Sequence, residues 1–222
     1  MLANASHILE GTDTIKERVY DRILEYLEIE GYPTEASVNF KEANVSGLVL
    51  DIIGPILWEF GGNTGRKIRL EREKEIISTD NETGEMEEFV VMDRISITEE
   101  KFVLVIEAKR SSLGEAMKQC LLSVKDARDN NGGGEVYGFI TTGKSWQMVK
   151  YDGKDFCQTR EIHSLFEGMD EKKELWTKDY SDLVDCMYFA LDNGGKWLKM
   201  STWWSFFFVG TDSLFGKLYG DD

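Results

Sequence analysis

The chain has 222 residues, 41% hydrophobic and 30% charged with only 2 prolines, which excludes a disordered chain and suits one packed domain with room for an appended lobe. Its net charge of −15 works against a nucleic-acid binder, because phosphate contacts come from Lys and Arg. The charge is uneven: residues 1–100 hold 10 basic and 22 acidic side chains, residues 101–160 hold 10 and 7, and residues 161–222 hold 6 and 12, so only the middle segment is basic.

Ile15, Val19, Ile23 and Leu27 recur every four residues, with Tyr26 beside them, and predict an amphipathic helix over 14–30. Thr14 or Thr12 is placed to cap it, and Gly31 and Pro33 end it. Residues 45–60 are strongly apolar but interrupted by Gly54-Pro55, which predicts a short buried helix or a pair of strands. After a glycine-rich loop at 61–65, an alternating strand is expected over 66–78, turn residues to Gly84, and a return strand over 88–97. Residues 102–108 (FVLVIEA) are almost unbroken apolar, the pattern of a central strand covered on both faces. Met117, Cys120, Leu121 and Val124 predict a helix over 113–129. Strands then follow over 136–142, 145–151 and 156–162, and a helix over 181–191. The order predicts an α/β fold with a mixed β-sheet flanked by helices.

Cys120, Cys157 and Cys186 are far apart, an odd count without zinc spacing, so they are expected as free thiols in a reducing compartment. The N-terminus lacks a signal-peptide pattern, and the run Phe206-Phe207-Phe208-Val209 is too short to span a bilayer. An intracellular protein, cytoplasmic or nuclear and without membrane association, is the expectation.

The chemistry concentrates between Asp93 and Lys109. Glu107 and Lys109, two residues apart at the end of a strand, share one face. Asp93 lies near the end of the preceding strand, and a hairpin is expected to bring it beside them. Two carboxylates and the Ala108 carbonyl form an oxygen-rich half-shell suited to Mg²⁺ or Mn²⁺. A lysine beside such a cation can orient or deprotonate an attacking water. An exposed cross-strand ion pair also gives E-x-K, but a charge closing a buried strand is costly unless used.

The runs VVMDRISI, FVLVIEAKR and EAMKQCLLS together resemble the PD-(D/E)XK nuclease superfamily over about residues 14–160. More narrowly, they resemble the nuclease-like domains of fungal and oomycete Crinkler-type effectors. The resemblance implies a restriction-endonuclease-like core over 1–164, with a C-terminal helical and aromatic extension over 165–222 packed on it. It implies hydrolysis of nucleic-acid phosphodiesters, DNA ahead of RNA, with Mg²⁺ or Mn²⁺ as cofactor. Asp93, Glu107 and Lys109 take the motif positions, Gln119 the helix glutamine, and Glu17 the first-helix metal ligand, with Glu25 behind it. Met92 stands where the name-giving proline would be. A catalytically weak nuclease-fold module, engaging protein partners through its acidic surface or its aromatic tail, is the alternative.

Other signals are weaker. Residues 138–145 match G-x-x-x-x-G-K-S, but the intervening residues form strands, so a β-hairpin turning at Gly143-Lys144 is expected, with Lys144 free to touch a phosphate. Asp51 is the rival for the motif aspartate. His7 and His163 stand in no nucleophile motif. Trp197, Trp203, Trp204 and Phe206–Phe208 have no interleaved arginine, which favours a core or partner-docking role over base stacking.

Overall fold

A computed structural model describes residues 12–33, 40–79, 84–110, 112–196 and 208–209. Helix α1 (Asp13–Glu30) buries Ile15, Val19, Tyr20, Ile23 and Tyr26, the stripe read from the sequence. Thr12 occupies its N-cap position without a side-chain capping bond; its hydroxyl donates instead to Asp185, 3.1 Å away.

Helix α2 (Glu42–Thr64) replaces the broken apolar segment expected over 45–60. It runs straight through Pro55. A proline inside a helix removes one donor and crowds the carbonyl four residues earlier, and burial of Val45, Leu48, Val49, Ile52, Ile53, Ile56 and Phe60 offsets that cost. By length and composition α2 is apolar enough to cross a bilayer, although it packs in the core of this domain.

The sheet is mixed and has helices on both faces, as expected. Strands β1 (Ile68–Ile77), β2 (Gly84–Arg94) and β3 (Glu100–Ala108) form an antiparallel meander. Helix α3 (Leu113–Asn130) crosses over to β4 (Val136–Thr141), which runs parallel to β3. Strands β5 (Ser145–Tyr151), β6 (Phe156–Thr159), β7 (Ile162–His163) and β8 (Phe208–Val209) add antiparallel pairs, giving the order β1-β2-β3-β4-β5-β6-β8 with β7 against β5. The segment expected as one strand over 156–162 is thus two short ones. The β4–β5 connection is the tight hairpin read from the sequence, with Gly143 at φ 81°.

Helix α3 covers one face through Ala116, Cys120, Leu121, Val124 and Ala127. On that face β4 comes unusually close: a Cβ added to Gly138 would lie 2.5 Å from the Cys120 sulfur. The other face is covered by α1, α2, α4 (Lys173–Asp179) and α5 (Asp182–Asn193). Leu165, Met169, Trp176, Leu183 and Met187 belong to that same core, so the described part of 165–222 shares its hydrophobic interior with the rest. The three cysteines are free thiols. Trp197, Trp203, Trp204, Phe206 and Phe207 lie outside the described residues; Phe208 is described only as a strand position paired with Thr159.

Candidate active site

Antiparallel pairing decides which residues meet. The end of one strand faces the beginning of the next, so the end of β3 faces the start of β2. Asp93 lies near the end of β2 and pairs with Lys101, at the beginning of β3. Six residues of strand separate Lys101 from Glu107, roughly 20 Å at ~3.3 Å per residue. The expectation that the hairpin brings Asp93 beside Glu107 is therefore corrected.

Asp93 has a structural partner instead. Its carboxylate accepts from Arg66 Nε at 2.6 Å, and both side chains are largely buried. The same guanidinium donates to the carbonyls of Leu191, Asp192 and Gly194, where α5 ends without intrahelical donors. Glu17 also lies elsewhere: it is exposed on the first half of α1, 3.8 Å from Lys173 on α4. Glu25 pairs with Arg22 at 2.6 Å, and the rival Asp51 pairs with the same arginine from α2.

What does meet Glu107 is the start of β2. The Glu88 N–H donates to Glu107 Oε2 at 3.5 Å. The recorded β1–β2 register passes from Arg72–Phe89 to Lys74–Glu87 and omits the pair between them, Glu73–Glu88. At that gap Glu73 sits at φ 48°, a left-handed conformation costly for a residue with a Cβ. Adjacent side chains then part to opposite faces: the Ser123 hydroxyl of α3 donates to the Glu87 carboxylate, and the Ser46 hydroxyl of α2 donates to Glu88. Gln119, one turn before Ser123, donates to the Met86 carbonyl at 2.7 Å and pins the same strand end. Gln119, Glu107 and Lys109 are thus brought together with Glu87 and Glu88, neither of which the sequence motif singles out.

Lys109 Nζ donates to Glu107 Oε1 at 2.6 Å. Glu107 is 2% exposed at its side chain and Lys109 27%. Burial raises the Glu107 pKa above the ordinary carboxylate range, although the bond and charge of Lys109 oppose it. Desolvation works against the Lys109 charge, but the bond and charge of Glu107, with the charges of Glu42 and Glu88, outweigh it and raise its pKa. Lys109 is therefore an ammonium at neutral pH.

The Lys109 N–H donates to the Thr141 carbonyl of β4 at 2.9 Å. In a trans peptide the preceding carbonyl points the opposite way, so the Ala108 oxygen faces β2. The donor set at this sheet end is therefore all oxygen, the chemistry of a hard divalent cation. Among the described residues no three His, Cys, Asp or Glu groups are close enough to hold a metal together. Mg²⁺ needs fewer: one or two carboxylates ordinarily suffice, with waters and phosphate oxygens completing its shell. Glu87 and Glu107, whose carboxyl groups meet on the α3 side, with the Ala108 carbonyl fit that demand, whereas Glu88 reaches Glu107 only through its backbone N–H.

No protein-family model matches the chain, and no curated protein matches it. Among solved structures, it is similar to the type IIG restriction endonuclease BpuSI, with a TM-score of 0.48 and 13% sequence identity. The match covers 69% of this chain and 17% of that one, so this chain corresponds to a small part of that protein.

Proposed function

We propose that this chain is a metal-dependent phosphodiesterase acting on nucleic acid, DNA ahead of RNA, with its centre at Glu87, Glu107, the Ala108 carbonyl and Lys109. The observation that carries the reading is the Glu107–Lys109 pair, which closes a buried strand directly opposite Glu88. A bound Mg²⁺ or Mn²⁺ would supply Lewis-acid polarisation of the phosphate. Glu87 and Glu107, whose carboxyl groups meet, are the carboxylates that would hold it. The Lys109 ammonium would attract a non-bridging phosphate oxygen and the water beside it; carrying its proton, it acts as a charge rather than as a base. Gln119 and Ser123 hold the start of β2 in place, and Ser46 aims Glu88. Asp93 and Glu17 are assigned no part.

A second reading, an inactive module of the same fold, is favoured by the −15 charge and by the protein's own donors on all three glutamates. Incubation of plasmid and RNA with Mg²⁺ or Mn²⁺ separates the two. The phosphodiesterase reading expects cleavage by the wild type that is lost in Lys109→Ala and Glu107→Gln. Absence of cleavage by the wild type would sink it, and equal cleavage by both variants would move the activity away from these residues.

A further inference from the structure

We propose that Tyr32, Lys144, Phe166, Lys172 and Tyr180 form a binding platform for single-stranded nucleic acid, adjoining the Glu107 site. The inference rests on the phosphodiesterase reading for its substrate class.

The patch is continuous. Lys144 Nζ lies over the Tyr32 ring, 5.8 Å from its centroid. The Ser164 N–H donates to the Lys144 carbonyl at 3.0 Å, and Phe166 follows two residues later. Phe166 packs on Tyr180 with ring centroids 4.4 Å apart, and Lys172 Nζ stands 6.0 Å from the Phe166 centroid. The three rings are half-buried and both lysines are exposed. Neither lysine enters an ion pair among the described residues. Most other basic side chains of this acidic protein do, Lys16, Arg18, Arg22 and Arg66 among them. Aromatic faces interleaved with unpaired ammonium groups are what a flexible strand needs: bases stack on the rings while phosphates meet the lysines. Duplex bases are already stacked and offer no free face, so the chemistry selects single strands. The Glu167 carboxylate acts on Tyr32 and adds repulsion at that edge.

The patch also lies within reach of the site. Thr141 accepts the Lys109 N–H, and Lys144 follows three residues later. At ~3.8 Å per residue that places Lys144 within about 16 Å of Lys109. Roughly five stacked nucleotides at ~3.4 Å each cover that span.

The test is fluorescence anisotropy of the full chain in EDTA, so that no cleavage intervenes. The probes are a labelled oligothymidylate and a duplex of the same length. Two variants are compared with the wild type: Lys144→Ala/Lys172→Ala, which changes only exposed side chains, and Phe166→Leu. The lysine pair is expected to lower the salt slope of single-strand binding by about 1.4, from two phosphate contacts at ~0.7 each. Phe166→Leu is expected to weaken single-strand binding about tenfold and duplex binding far less. Unchanged single-strand affinity in both variants, no binding by the wild type, or equal losses for single strand and duplex would each overturn the platform. A wild type that binds the strand through this patch yet cleaves nothing in Mg²⁺ or Mn²⁺ leaves the platform standing and removes the phosphodiesterase. Cleavage with patch-independent binding does the reverse.

Discussion

Substitution of Gly138 probes how α3 is held over the sheet, and with it the two α3 side chains that reach the site. An alanine Cβ there would lie 2.5 Å from Cys120 Sγ, 2.6 Å from Val149 Cγ2 and 2.8 Å from Val124 Cγ2. All three atoms are buried, so none can swing into solvent. Overpacking of a dense core costs about 1–3 kcal/mol, and three simultaneous clashes place Gly138→Ala at the upper end. At about 2–4 °C per kcal/mol for a chain of this size, the melting temperature should fall by roughly 6–12 °C. Thermal unfolding followed by circular dichroism measures it. Cys120→Ala removes the nearest atom, so a double-mutant cycle should show favourable coupling between the two changes. Gly62→Ala is the control: its Cβ meets nothing within 4 Å on α2, and alanine in a helix should stabilise by up to about 1 kcal/mol. A Gly138→Ala melting temperature within a degree of the wild type would refute the close seating of α3 on β4.

Three further outcomes are expected. Asp93→Asn breaks a largely buried pair with Arg66 and should destabilise by about 3 kcal/mol in denaturant titrations, while the folded protein keeps its cleavage activity. Cleavage lost in folded Asp93→Asn would return Asp93 to the site. Glu107→Gln should raise stability at neutral pH and flatten its pH dependence. The sign follows from the raised pKa: the folded state holds the Glu107 proton more tightly than the unfolded chain. Its stabilising contribution is fully present below the unfolded carboxylate pKa and is lost as pH rises through the folded value. A wild-type profile unchanged by the substitution would contradict the burial of that charge. Glu17→Gln changes only an exposed side chain on α1, and metal-dependent cleavage should match the wild type; a large loss would show that α1 contributes to the site.

Much of this structure is legible from local pattern. The period of α1, the apolar run of β3, the spacing of α3 and the turn at Gly143-Lys144 each reflect forces acting within a few residues. The pairing of Glu107 with Lys109, and Gln119 on the helix that follows, were readable for the same reason. The missing acid was not. The alternation predicts a strand only from Glu88, whereas β2 begins at Gly84 and takes in Glu85 and Glu87. Glu87 is buried and Glu88 half-buried, with Ser123 and Ser46 reaching them from distant helices, contacts that no local pattern encodes. Asp93 lies on the strand that pairs with residues 102–109, but antiparallel geometry sets it at the far end from Glu107. Pro55 misled in the opposite sense: tertiary packing carries α2 through a residue that, read alone, ends helices.

The gap in the ladder at Glu88 has an experimental use. The Glu88 amide donates to the side-chain carboxylate of Glu107 on β3. An ordinary sheet amide reports only whether the sheet is intact. This one should respond to the charge of Glu107: its nitrogen and proton resonances should move whenever that carboxylate gains a proton, changes partner or turns toward a cation. A single backbone signal would then follow the state of the site in solution, without a substrate and without altering any residue that forms it.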